Sequence, residues 1–424
     1  MNRSLILICA ILITASTSFS QEVKPSPTPS RVRIVGATPT PSKIVVVTNN
    51  LPPTPKPTPK PVVTPSPTPI IVGGSTNPNP NYNTNQTLSL GQIKSRLEEA
   101  KREMSARPVT ISMTDGTFTT NMVRIAFYDF DTKKLDYIVM TKDSFLTKNG
   151  AFLVTSAKSK SMKVAIIRPN GVNTPILISD MTNKTHLPLM VQYPVERNGI
   201  YYETAYYMST HPGLVTPEVV TAGKLYVRNT IDIAREKLRQ KGIVISPKVT
   251  DIAERLSIVE HVDHLRFRTE YHLNIYNDIF SLYALNEGQT YRYSVSTAGA
   301  GGMVQMIPST YVMVRSRYYN AGLMPDFVEG MRNHVNAAQA MLLYMQMTYN
   351  DLVANPTISA AIQNGTATEL ELMSAGYNSN PAKLPGYIKR GGTNWRNLIP
   401  RETQIYLQVN ASMDRFLPIV PRSK

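Results

Sequence analysis

The hydrophobic period changes part-way along this chain, and that change restricts the folds open to it. Between residues 109 and 208, β-branched and aromatic runs at 122–127, 137–140, 151–154, 164–167 and 176–178 alternate with the dipeptides Asp115-Gly116, Asn149-Gly150, Asn170-Gly171 and Asn198-Gly199. Short runs broken by such turns predict antiparallel strands, about eight of them, in a sandwich or partly open barrel. From about Pro217 onward the apolar residues recur at helical spacing, most clearly over 225–241, 248–265, 271–287, 335–349, 369–375 and 401–417. The expected class is multidomain: residues 88–210 form a helix plus an all-β accessory domain, and residues 211–424 form a mainly α domain. The leading helix shows itself at Leu90, Ile93, Leu97 and Ala100, which share one face.

The first 87 residues follow different rules. Arg3, an apolar run over 5–13 and then Ser18-Phe19-Ser20 have the order of an export signal, with cleavage expected after Ser20. The apolar run is shorter than the roughly 20 residues of a membrane-spanning helix, so no stable membrane span is expected. Cys9 is the only cysteine and lies inside this signal, which leaves the exported chain without thiol, disulfide or thiolate-bound metal. Residues 21–87 are rich in proline and poor in acids. That composition buries too little apolar surface to fold and favours an extended spacer.

A formal net charge of +16 suits an anionic polymer as partner. Nucleic acid would satisfy the charge equally, but no zinc-finger spacing, basic recognition helix or RNA-binding signature accompanies it, so no nucleic-acid partner is expected. His261 and His264, with Asp263 between them and Glu260 before, invite a metal reading because residues three apart share a helix face. No third ligand is evident, and no metal or cofactor is expected. Tyr201, Tyr202, Tyr206 and Tyr207 offer a possible ligand face, though core and surface positions of a strand explain them too. Trp395 fits either packing or a groove.

The stretch that suggests chemistry runs from Leu282 to Pro308. An apolar helix ending on Glu287 and then Gly288 places a carboxyl in the last turn, where helix carbonyls oppose its ionisation. A carboxylic acid still protonated near neutral pH is what glycosidic cleavage needs, because the departing sugar oxygen must receive a proton. Glycines at 299, 301 and 302 allow backbone to come close to a bulky ligand. Gln305 can donate and accept at once.

This stretch resembles the signature of the soluble lytic transglycosylase family, a Glu-Ser pair followed by Ser-x-x-Gly-Ala-x-Gly-Leu-Met-Gln-x-Met-Pro. Glu287, Ser296, Gly299, Ala300, Gly302, Gln305 and Pro308 stand at that spacing. Ala375-Gly376-Tyr377-Asn378 is similar to the family's Ala-Tyr-Asn segment, and Pro400-Arg401-Glu402-Thr403-Gln404-Ile405-Tyr406 to its Leu-Pro-x-Glu-Thr-x-x-Tyr ending. The chain departs at Gly288, Thr290, Met303-Val304, Gly376 and Asn380.

The resemblance implies a lysozyme-like helical domain that cleaves the β-1,4 bond between N-acetylmuramic acid and N-acetylglucosamine and leaves a 1,6-anhydro end. It makes Glu287 the acid and base, places Ser296, Gln305, Tyr377 and Asn378 on the glycan, and leaves Glu402 to start the last helix. Peptidoglycan strands would be the substrate, in the periplasm or cell envelope. Residues 288–325 contain no Asp or Glu, which agrees with a mechanism needing no second carboxylate. Two alternatives stay open: a lysozyme-like hydrolase, and a wall-binding envelope protein without turnover.

Overall fold

In a computed structural model, the described residues are 87–109 and 120–423. The export signal, the proline-rich tract and the turn at Asp115-Gly116 lie outside them.

Ser89 opens helix α1 (Leu90–Ala106) through a capping box with Gln92, and Ile93, Leu97, Ala100 and Met104 face inward at helical spacing. Seven strands follow among the described residues: β1 (Met122–Asp129), β2 (Lys134–Thr141), β3 (Ala151–Thr155), β4 (Ser161–Ile166), β5 (Ile176–Ser179), β6 (Thr185–Arg197) and β7 (Ile200–Met208). They form one antiparallel sheet in the order β2-β1-β6-β5-β4-β3, with β7 also on β6. A short helix, α2 (Lys142–Phe145), follows β2. The 13-residue β6 makes the curl possible, since β5 pairs with its start and β7 with its remainder. Asn198 and Gly199 both take positive φ, as the tight β6–β7 hairpin requires. Inside the curl Val123, Ile125, Phe127, Ile138, Met162, Val164, Ile178 and Val191 form a small core of their own.

Eleven helices follow: α3 (Pro217–Arg239), α4 (Pro247–Val259), α5 (His264–Thr269), α6 (His272–Asn286), α7 (Pro308–Arg317), α8 (Phe327–Arg332), α9 (His334–Ala354), α10 (Pro356–Gln363), α11 (Glu369–Asn378), α12 (Leu384–Gly391) and α13 (Arg401–Phe416). Caps fix most of the starts: Thr216, Ser246, Asp263, Asp326, Asn333, Asn355 and Thr368 each accept a first-turn backbone N–H. The α3–α6 crossing depends on Gly223, where a β-carbon would lie 1.9 Å from the Phe280 carbonyl oxygen.

The order of a curled sheet and then a mostly helical region agrees with the expected layout. The two regions nevertheless share a core. Ala126, Tyr128, Leu187, Leu189 and Tyr207 from the sheet belong to the same buried cluster as α1 and residues of α3, α4, α6 and α9. No helix among the described residues is long and apolar enough to cross a membrane.

Candidate active site

Helix α4 does not continue to residue 265 as the periodicity suggested. It stops at Val259, with Glu260 as its C-cap bonded back to the Leu256 carbonyl at 3.0 Å. Asp263 then accepts the N–H groups of Leu265 and Arg266 and starts α5 in a new direction. The break leaves Glu260 at a helix C-terminus, where the carbonyl dipoles disfavour a negative charge.

Glu260 lines a groove of about 540 Å³ with Ser296, Gln305, Tyr377, Asn378, Glu402 and Tyr406. Separate pieces of chain meet there: the α4 end, the 291–307 turn, Tyr344 of α9, the α11 end and the first turns of α13. The Tyr406 hydroxyl donates to Glu260 Oε1 at 2.7 Å. Burial pushes the Glu260 carboxyl up to about 8, and the Glu402 charge pushes the same way, while the bond from Tyr406 works against both. A carboxyl in that range keeps its proton at neutral pH.

The four substrate residues proposed from the motifs all line this groove. The Tyr377 hydroxyl donates to the Val304 carbonyl at 2.7 Å, and burial keeps it protonated. Asn378 accepts from Thr403 through Oδ1 at 2.7 Å, which fixes its amide. Ser296 closes the turn by accepting the Ala300 N–H at 3.1 Å. Gln305 has a φ of 46° and uses its amide nitrogen within the turn, on the Gly302 carbonyl at 2.9 Å and the Ser294 hydroxyl at 3.2 Å. Gly302, at a φ of +69°, leaves its absent β-carbon 2.3 Å from the Met331 carbonyl oxygen, so only glycine fits there.

Glu287, the acid expected from the motif spacing, is not among the residues that line this groove. It caps α6 with a φ of 41°, its side chain is 56% exposed, and it pairs with Lys94 of α1 at 2.7 Å. Gly288 beside it has open space around the position of a β-carbon. The spacing to Ser296 holds in sequence, but α6 points its end outward, toward α1. Glu402, expected only to start α13, is the second carboxyl in the groove. The stretch 288–325 lacks acids, yet folding supplies Glu402 from the start of α13.

The pair His261 and His264 does not share a helix face, because the chain turns between them. His261 Nε2 bonds the Met303 carbonyl at 2.9 Å, while His264 lines the groove. Among the described residues the only three-ligand group is Asp129, Asp131 and His186. Lys160 and two backbone N–H groups already occupy Asp129, Lys184 occupies Asp131, and the Phe130 N–H donates to His186 Nδ1 at 3.3 Å. These contacts describe a pinned β-turn. Trp395 is fully buried with its indole N–H on the Thr366 carbonyl at 3.1 Å, so it is a packing residue.

Sequence reasoning weighed Glu260 only beside a metal reading of the two histidines and missed the bond it accepts from Tyr406. The available signal was the Asp263 cap, since an N-cap residue inside a run of helical periodicity marks a break. No protein-family model matches the chain, and no curated protein or solved structure does.

Proposed function

We propose that the protein is a peptidoglycan lytic transglycosylase in which Glu260 supplies and recovers the proton. The observation that carries this reading is a carboxyl held up to about 8 in a groove shared with Ser296, Gln305, Tyr377 and Asn378. Protonated Glu260 gives its proton to the oxygen bridging N-acetylmuramic acid and N-acetylglucosamine, and the C1–O bond breaks. The muramic 6-hydroxyl then attacks C1 and yields its proton to the Glu260 carboxylate. The products are a 1,6-anhydro end and a free 4-hydroxyl, and the acid is regenerated. No metal or cofactor enters this scheme.

Export toward the cell envelope fits this substrate, as does the net charge of +16 against an anionic wall polymer. The resemblance to the transglycosylase signature supports the same reading through Ser296, Gln305, Tyr377 and Asn378, with the acid moved from Glu287 to Glu260.

Glu402 favours a second reading. A carboxylate in the same groove is positioned on a helix start, and a carboxylate is the group that activates water in inverting hydrolysis. Mass spectrometry of the fragments separates the two, because a hydrolytic product carries one water more than the anhydro product. Binding of wall glycan without any fragment would favour the third possibility, a wall-binding protein.

A further inference from the structure

We propose that the curled sheet is a working part of the groove: Tyr207 of β7 holds Tyr291, and Tyr291 in turn sets the position of His261, the neighbour of Glu260. The geometry of this link stands by itself; its consequence for turnover rests on the function proposed above.

Tyr291 opens the turn that carries Ser296 and Gln305. Its φ is 54°, a left-handed conformation that a bulky side chain adopts only when its surroundings enforce it. One enforcing contact comes from the sheet. The Tyr291 backbone N–H donates to the Tyr207 hydroxyl at 2.8 Å, and Tyr207 is 1% exposed, so water cannot substitute for that acceptor. The other lies on the ring: Tyr291 stacks flat on the His261 imidazole, with centroids 3.4 Å apart and planes 10° from parallel. Tyr283 closes the third side edge-on at 5.3 Å.

His261 passes the placement on in two directions. It is covalently next to Glu260, and its Nε2 bonds the Met303 carbonyl at 2.9 Å, near the far end of the same turn. Burial holds His261 down at about 3, so the ring is neutral and the Nε2 facing a carbonyl carries the proton. The near end is fixed the same way, by His334 Nε2 on the Thr290 carbonyl at 2.6 Å, with the Tyr226 hydroxyl on His334 Nδ1 at 2.8 Å. Both ends of the groove wall are therefore held from outside it. The sheet contributes the Tyr207 bond, which falls on the strained residue, and the Glu203–Arg292 pair at 3.5 Å next to it. Tyr207 does not line the groove and is a positioning residue.

The test uses the full chain with Tyr207→Phe, which keeps the ring and removes only the hydroxyl. Ile178→Val, in the separate core inside the curl, is the control for loosening the sheet without touching the turn. Amide exchange over residues 290–306 is expected to rise by about tenfold in Tyr207→Phe and to stay unchanged in Ile178→Val. On peptidoglycan, kcat is expected to fall by about tenfold with KM within about twofold, the pattern of a displaced acid rather than of lost binding. Unchanged exchange in the turn of Tyr207→Phe would overturn the link, and so would equal changes in the two variants. If the unmodified protein leaves peptidoglycan intact, the proposed function fails, and the exchange comparison still decides whether the sheet holds the turn.

Discussion

The Tyr406 hydroxyl donates a 2.7 Å hydrogen bond to Glu260 Oε1, joining the last long helix to the broken end of α4. This bond favours the ionised carboxyl, so it moderates the upward push of burial. Tyr406→Phe removes it. The alkaline limb of the pH–activity profile should move to higher pH, and the fold should lose about 1 kcal/mol, measured by denaturant unfolding at pH 5.

Glu260 also makes a prediction about stability and pH. Its folded value of about 8 lies above its ordinary 4.5, so between those values the folded chain keeps a proton that the unfolded chain has released. Stability from this group is fully present below 4.5, falls as pH rises through the window, and is lost above 8. Glu260→Gln cannot ionise. Thermal melts of the two proteins should draw apart between pH 5 and pH 9, with the glutamine variant the more stable at the upper end.

Gly302→Ala places a methyl against the Met331 carbonyl at a φ of +69°. Strain and clash together should cost about 2 kcal/mol or more in unfolding measurements. Activity should fall further than stability, because Gln305 fastens its amide to the Gly302 carbonyl.

The Lys94–Glu287 pair is exposed on both sides, at 42% and 56%. A double-mutant cycle with Lys94→Met and Glu287→Gln should return a coupling below about 1 kcal/mol, reduced further by added salt.

Much of the architecture was legible because periodicity is a local property. The runs at 122–127, 137–140, 151–154 and 176–178 all fall in strands, and the Asn198-Gly199 turn sits where a hairpin needs two positive φ values. Helices α2, α5, α7, α8, α10 and α12 were missed; they are short, and the apolar residues of α7 form one consecutive run, Tyr311 to Val314, with no helical spacing. The shared core between sheet and helices left no trace in spacing, since it depends on which face of β6 meets α1 and which face of β7 meets α6.

The site was legible in part for a related reason. Ser296, Gln305, Tyr377 and Asn378 were found through short motifs, and all four reach the groove. Three helices end on a glutamate, at Glu260, Glu270 and Glu287, and the motif spacing pointed to Glu287. Local reasoning treats these alike. Only packing distinguishes them: α4 ends beside α13 and the glycine-rich turn, whereas α6 ends beside Lys94.

Product analysis on whole peptidoglycan with Glu260→Gln and Glu287→Gln tests the central claim most directly. The account predicts that the unmodified protein releases anhydro-muropeptides, that Glu260→Gln loses about a thousandfold or more in rate, and that Glu287→Gln stays within about twofold. Full activity in Glu260→Gln, or loss confined to Glu287→Gln, would contradict it.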